Sequence, residues 1–147
     1  MSAAGMPKTR GPKPPTALVI HCTETGIALS CTGIRGGRQQ TIRDHDTLLQ
    51  RMLTMLRRFP HGRKPDCILV LGRATRFSHS RSVATIANLL SYALDIPVAS
   101  LERSRVPHVR ALRRISRSVI RPIRARYTGP PHVTKHASSR RSETRAS

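Results

Sequence analysis

In the central part of the chain, apolar residues follow two different patterns, one typical of strands and one typical of helices. Five runs of four to seven residues are typical of strands. They cover residues 17–23, 27–32, 38–43, 67–71 and 98–101. The first two are separated only by the turn-like Glu24-Thr25-Gly26, which predicts a hairpin. The third is the most polar, as expected at a sheet edge, where charged side chains discourage further pairing.

The first helical segment follows the third strand. Asp44 or Asp46 is expected to cap it, and the sequence from Pro60 should end it after Arg58. Its apolar face is broader than one sheet can cover. The apolar residues are Leu48, Leu49, Met52, Leu53, Met55 and Leu56. The additional apolar area predicts either a surface for a partner or a helix enclosed within its own domain. The two Met residues are well suited to a partner surface.

A second helical segment follows the fourth strand and repeats this pattern. Apolar spacing from Val83 to Leu94 predicts one face on the sheet, with Ser78 or Ser80 as the cap and Asp95-Ile-Pro97 as the stop. Other apolar side chains point away from that face. Across both helices the expected partner contacts are Leu49, Leu53, Met55, Leu89 and Tyr92. A few ordinary exposed apolar residues are the alternative interpretation.

The last third of the chain has a basic pattern. Between residues 105 and 126, apolar residues recur at near-helical spacing and predict a basic amphipathic helix that Pro122 interrupts or ends. Its candidate phosphate-binding residues are Arg110, Arg113, Arg114, Arg117, Arg121 and Arg124. Tyr127 is the only nearby aromatic residue, so base stacking should contribute little. Contact with tRNA or another RNA backbone is therefore expected, and a solvated tail is the alternative.

Composition agrees with an anionic partner. Among 147 residues, 27 Lys and Arg stand against 7 Asp and Glu, a net charge of +20. Residues 102–147 hold thirteen of the basic residues against two acidic ones. Nucleic acid is the commonest partner of such a chain. An anionic membrane surface is a weaker candidate, because the basic segment has no Trp or Phe anchor.

Cysteine usage and hydropathy indicate a cytoplasmic protein. Cys22, Cys31 and Cys67 are odd in number and form no Cys-x-x-Cys pair, as expected for buried thiols in a reducing compartment rather than metal ligands. No apolar run reaches membrane-spanning length, and the first residues lack the apolar core of a signal peptide. We therefore expect no membrane association.

Motifs of catalysis are absent or weak. The loop after Gly72 lacks the Gly-Lys-Ser/Thr ending of a phosphate-binding loop, and neither a His-Glu-x-x-His motif nor paired carboxylates occur. His79 lies beside Ser78 and Ser80, but neighbouring residues at the start of a helix rarely form a base and nucleophile pair. The sequence predicts a protein that is not an enzyme and needs no cofactor.

The order of elements, β-β-β-α-β-α-β, predicts an α/β fold. Three antiparallel strands followed by alternating helices and strands form a mixed sheet with right-handed crossovers, as in ribonuclease H-like and actin-like ATPase (ASKHA) domains. Four segments are expected. They are a disordered leader at 1–16, the domain at 17–103, the basic amphipathic segment at 104–127 and a disordered basic tail at 128–147.

One stretch resembles a known family. Gly72-Arg-Ala-Thr-Arg-Phe-Ser-His-Ser-Arg81, with Pro97 sixteen residues later, is similar to the signature of the bacterial TsaB family, also called YeaZ. That signature is Gly-Arg-Gly-Pro-Gly-Ser-Phe-Thr-Gly-hydrophobic-Arg, followed by a small-residue helix and an apolar-Pro-apolar strand. The matching positions are Gly72, Arg73, Phe77 and Arg81, with Ser78 in place of Thr. Asp44-His45 resembles the family's Glu-His, so His45 joins this set.

The chain departs from the family at several positions. Ala74, Thr75 and Arg76 replace Gly-Pro-Gly, one residue is missing before Phe77, and a His replaces a Gly. His21 stands where catalytic relatives of the superfamily have an Asp that supports metal and nucleotide binding, which weighs against an ATPase. The family's second domain is replaced here by the basic tail. We therefore expect a single-domain or truncated member.

The resemblance implies a non-catalytic accessory role in tRNA N6-threonylcarbamoyladenosine (t6A) modification. TsaB-like proteins pair through helices with a TsaD-type transferase, and a TsaE-type ATPase is a further partner of that kind. The alternative is a basic RNA- or ribosome-binding module with a degenerate actin-like core. A scaffold should fail when Leu53 or Leu89 becomes charged and should tolerate loss of residues 105–147. The binding module should show the opposite pattern.

Overall fold

The computed structural model describes residues 13–33, 40–42, 47–59 and 62–126. The elements are β1 (Ala17–Cys22), β2 (Ile27–Thr32), β3 (Gln40–Ile42), α1 (Leu48–Leu56), β4 (Cys67–Leu71), α2 (Phe77–Leu94), β5 (Val98–Leu101) and α3 (Val109–Ser116). From β1 to β5 this is the predicted order along the chain. The caps Asp44 and Asp46 and the ends of the predicted third strand lie outside the described residues.

The five strands form one mixed sheet in the order β3-β2-β1-β4-β5. The predicted hairpin is confirmed, since β1 and β2 pair antiparallel and the Thr23 N–H donates to the Gly26 carbonyl at 2.9 Å. β3 pairs antiparallel with β2, whereas β4 lies parallel to both β1 and β5. The central strands β1 and β4 are apolar almost throughout, as parallel strands covered on both faces require.

Alternate residues of the central strands enter two separate cores. Leu18 and Val70 face the core that α1 and α2 cover. Val19 and Leu69 face the opposite core, where α3 contributes the buried Leu112. The two-residue period of a strand therefore assigns α1 and α2 to one face of the sheet and α3 to the other.

α1 directs only one stripe of its apolar residues at the sheet. Leu48, Met52 and Met55 are buried there, at the helical spacing i, i+4, i+7. The helix is shorter than predicted, because it ends at Leu56 before the chain turns through the buried Phe59.

α2 begins earlier than its apolar period indicates. Its N-cap is Arg76, in an extended conformation, so the predicted caps Ser78 and Ser80 both lie inside the helix and that prediction was wrong. The predicted stop is confirmed. Asp95 adopts the left-handed conformation at φ 54°, and Pro97 follows two residues later.

The predicted basic helix from 105 to 126 is helical only over Val109–Ser116. Residues 119–126, which we call the C-terminal strap, contain no helix or strand. Pro122 lacks an N–H for a helical hydrogen bond, and Asn88 of α2 holds Ile123 through its backbone. The strap therefore crosses to the face of the sheet that carries α2, and Ile123 packs against that core.

Candidate partner surface and motif loop

The outer side of α1 and α2 carries exposed apolar residues. Leu53 on α1 is 44% exposed, while Leu89 and Tyr92 on α2 are 53% and 85% exposed. The inner sides of both helices already fill the core. These three side chains, which we call the helix-pair surface, are therefore not needed for packing the sheet.

The structure places the other two expected contacts differently. Leu49 is half-buried and packs against the core of the same face. Met55 is 1% exposed, so its expected place on the partner surface is a correction. The reason is geometric, because Met55 follows Leu48 and Met52 along the stripe that faces the sheet.

A groove of about 500 Å³ adjoins the helix-pair surface. Leu53, Leu56 and Leu94 line it together with basic residues, which include Lys64. The Lys64 ammonium donates to the Leu94 carbonyl at 2.6 Å, which satisfies one backbone acceptor left free at the end of α2. Apolar and basic side chains therefore line this groove together.

Gly72 starts the motif loop, immediately after β4. Its φ is +76°, and its N–H donates to the Leu101 carbonyl at 2.9 Å. A Cβ added at this position would lie 2.8 Å from the carbonyl oxygen of Cys22. A side chain would therefore strain the backbone and collide with β1. Glycine lets the loop begin at the carboxyl ends of β1, β4 and β5.

The loop residue Arg73 is tied to the C-terminal strap through one carboxylate. Arg73 forms a hydrogen bond and an ion pair with Glu102, and the Arg126 guanidinium contacts the same oxygen at 3.0 Å. The hydrogen bond and charge of Arg73 lower the pKa of the Glu102 carboxyl, and the charge of Arg126 lowers it further. Glu102 thus connects the loop, the end of β5 and the strap.

The remaining motif residues lie at the start of α2. Phe77, Ser78 and Arg81 are exposed there, and Phe77 is 55% exposed. His45 lies outside the described residues. The structure therefore brings the described motif residues to one end of the sheet, on a surface that continues into α2.

The main interaction that sequence reasoning missed is between α2 and the C-terminal strap. The Asn88 amide donates to the Ile123 carbonyl at 2.9 Å and accepts from the Ile123 N–H at 2.8 Å. The Ser80 hydroxyl donates to the Arg126 carbonyl. Ser80 and Asn88 are eight residues apart and so share one side of α2. A polar Asn at a half-buried helical position was the only sequence signal.

The six candidate phosphate-binding arginines do not form one stripe. Arg110, Arg114 and Arg117 are exposed on or just after α3, at the spacing i, i+4, i+7, and Arg113 is half-buried. Arg121 and Arg124 are exposed on the strap. The expected single basic helix is therefore replaced by two basic segments on different elements.

The three cysteines behave as structural thiols. Burial raises the pKa of Cys22 to about 11 and that of Cys67 to about 12, and burial also raises the pKa of the half-buried Cys31. Within the described ranges, no group of three or more His, Cys, Asp or Glu side chains is placed to hold a metal ion.

Comparisons with known proteins give one structural likeness. YeaZ from Pseudomonas aeruginosa superposes with a TM-score of 0.43 and 22% sequence identity, over 58% of this chain and 43% of that chain. The chain therefore spans less than half the length of that protein. No family model matches the sequence, and no curated protein matches it. In the part of the chain that the structure describes, every helix is too short or too polar to cross a bilayer.

Proposed function

We propose that this chain is a TsaB-like accessory subunit of t6A modification, built on an actin-like domain, which pairs with a TsaD-type transferase through α1 and α2. The observation that carries the proposal is the helix-pair surface. Leu53, Leu89 and Tyr92 remain exposed although both helices already pack on the sheet. Exposed apolar residues on paired helices are typical of a helix-mediated interface.

The motif loop supports the same assignment. Its glycine adopts a conformation that excludes a side chain, and its arginine is fixed by Glu102. Both residues belong to the resemblance, and each has a structural role in this loop. The proposed role is to fix the start of α2 and thereby the position of Leu89 and Tyr92.

The test is co-purification with the TsaD-type protein of the same genome on size exclusion at moderate salt. The natural chain should elute as a heterodimer, whereas Leu89→Glu should weaken pairing by about 30-fold or more, as for a residue at an interface centre. The matched control is Val109→Glu. Val109 is a similarly exposed apolar helix residue, at 46%, but lies on α3 across the sheet.

Charge substitutions are a better test than truncation. Deleting residues 105–147 would remove Leu112 from one core and Ile123 from the other, so the loss of stability would obscure any effect on pairing. Circular dichroism of each variant confirms that it remains folded. Separate elution of the natural chain, or equal loss of pairing in both variants, would refute the helix-pair surface as the interface.

A further inference from the structure

A second surface lies on the opposite face of the sheet, between α3 and the loop that follows β5. It is a groove of about 940 Å³, within the range of ligand-binding clefts. Its apolar lining includes Leu101, Val106 and Ile115. Arg103 and Arg105 line the loop side, and Arg114 lines the helix side. We call this feature the α3 groove.

Three arginines of the α3 groove stand against one carboxylate in its lining, Glu102. Residues 101–126 hold nine arginines and one carboxylate, Glu102, a net charge of +8. Glu102 lines the groove, but its carboxylate pairs with Arg73 and Arg126, neither of which lines the groove. Among the described residues, no carboxylate pairs with any of the three groove arginines. Their mutual repulsion therefore favours an anion between the loop and α3.

The lining also selects among anions. Cations on both sides of an apolar floor can hold phosphates at the rim while bases contact the floor, and guanidinium planes can stack on bases. A duplex presents phosphates but keeps its bases stacked inside, so it could not use the floor. A bilayer surface could not enter the groove, and Leu112, the best apolar anchor of α3, is already buried against the sheet.

Two further polar residues of the groove favour RNA. Ser104 offers a hydroxyl, and His108 accepts from the Ala111 N–H through Nδ1, which leaves Nε2 available. Both groups can hydrogen-bond a 2′-hydroxyl. We propose that the α3 groove is a binding site for an unpaired RNA segment, held mainly by Arg103, Arg105 and Arg114. This inference does not depend on the proposed protein partner.

The experiment is fluorescence anisotropy of the full chain with a labelled, unstructured RNA of about 12 nucleotides at about 0.1 M salt. The test variant is Arg103→Ser/Arg105→Ser, and Arg114→Ser examines the helix side. The matched control is Arg121→Ser/Arg124→Ser, which removes the same charge from the strap. All these side chains are exposed, so the fold should be retained.

The groove double variant should bind RNA at least 10-fold more weakly, and the control less than 3-fold. For each arginine that no longer neutralises a phosphate, the slope of log K against log salt should become shallower by about 0.7. If the two double variants weakened RNA binding equally, the attraction would be a diffuse effect of net charge, and the groove would be refuted as the binding site. Duplex RNA, DNA of the same sequence and anionic vesicles should each bind more weakly than the RNA strand. If any of these three ligands bound as tightly as the RNA strand, and the groove variants weakened that binding, the assignment to unpaired RNA would be overturned.

The outcomes are separable from those of the partner test. Leu89→Glu should leave RNA binding unchanged, because Leu89 lies on the face of the sheet that carries α1 and α2. The groove variants should likewise leave pairing with the TsaD-type protein unchanged. Failure of one proposal therefore does not imply failure of the other.

Discussion

Replacing Asn88 by Ala should release the C-terminal strap from α2. The Asn88 side chain makes both hydrogen bonds that the Ile123 peptide groups need, at 2.8 and 2.9 Å. A typical hydrogen bond contributes a net stabilisation of about 0.5–1.5 kcal/mol, so removing both costs about 1–3 kcal/mol. Ile123 is half-buried, and water can reach its freed groups once the strap lifts. The lower half of that range, about 1–2 kcal/mol, is therefore expected.

The cost should appear as local opening rather than global unfolding. The strap is exposed apart from Ile123, whereas α2 is packed on the sheet. An increase of about 1–2 kcal/mol in the free energy of the closed strap raises its open population by about 5–30-fold. Hydrogen exchange of the Ile123 amide, measured by NMR, should accelerate by that factor. Trypsin should cleave after Arg124 correspondingly faster, whereas the bond after Arg121 is protected by the following Pro122.

Two variants separate this effect from changes in helix propensity. Ala favours a helix over Asn by up to about 0.7 kcal/mol, which stabilises α2 and acts against the predicted opening. Thr85→Ala changes an exposed residue of α2 about one turn away and should leave Ile123 exchange unaltered. Asn88→Asp keeps the acceptor for the Ile123 N–H but sets a carboxylate against the Ile123 carbonyl, so it should open the strap as well. Unchanged exchange in Asn88→Ala, or equal acceleration in Thr85→Ala, would refute the role of Asn88.

Two further predictions follow from the motif loop. Gly72→Ala should lower the free energy of unfolding by about 1–3 kcal/mol in urea denaturation, because φ is +76° and the new Cβ would meet a β1 carbonyl at 2.8 Å. Gly62→Ala should lower the free energy of unfolding less, because Gly62 has a φ of +64° but no heavy atom within 4 Å of the added Cβ. Equal losses of stability in the two variants would refute the collision at Gly72. The Glu102 carboxyl should titrate below its ordinary pKa of 4.5 by NMR, since ion pairing stabilises its charged form. Its small stabilising contribution is thus present above about pH 4.5 and is lost as the pH falls through the lowered pKa, and high salt should move the midpoint back up.

The strands and helices could be predicted from the sequence because their apolar periods are long enough to be distinct. β1 and β2 are mostly apolar and lie on either side of a four-residue turn, and β4 is a continuous apolar run that is followed by a glycine. The helix faces were harder to assign. Six of the nine residues of α1 are apolar, so spacing alone could not show that the sheet takes Met55 and leaves Leu53 exposed.

The C-terminal region could not be predicted because its interactions are distant in sequence. Asn88 and Ile123 are 35 residues apart, and Arg73 and Glu102 are 29 apart. Local propensity favoured one helix through residues 105–126, whereas two hydrogen bonds to Asn88 and the packing of Ile123 on the core favour the extended strap. Tertiary interactions outweighed the local preference, as they do for any short helix whose stability depends on packing.

The sheet keeps the two proposed surfaces apart. α1 and α2 cover the face that receives Leu18, and α3 covers the face that receives Val19, so adjacent residues of one strand support the two surfaces from opposite sides. The sheet therefore lies between a protein partner on α1 and α2 and an RNA segment in the α3 groove. The strap connects the two faces of the sheet, because it follows α3 in the chain and contacts α2 and Glu102. A ligand in the groove that moved α3 would therefore act on α2 through the strap, whereas a rigid strap would leave the two binding events independent. Measuring RNA affinity with and without the protein partner decides between these cases, since coupling must be equal in both directions.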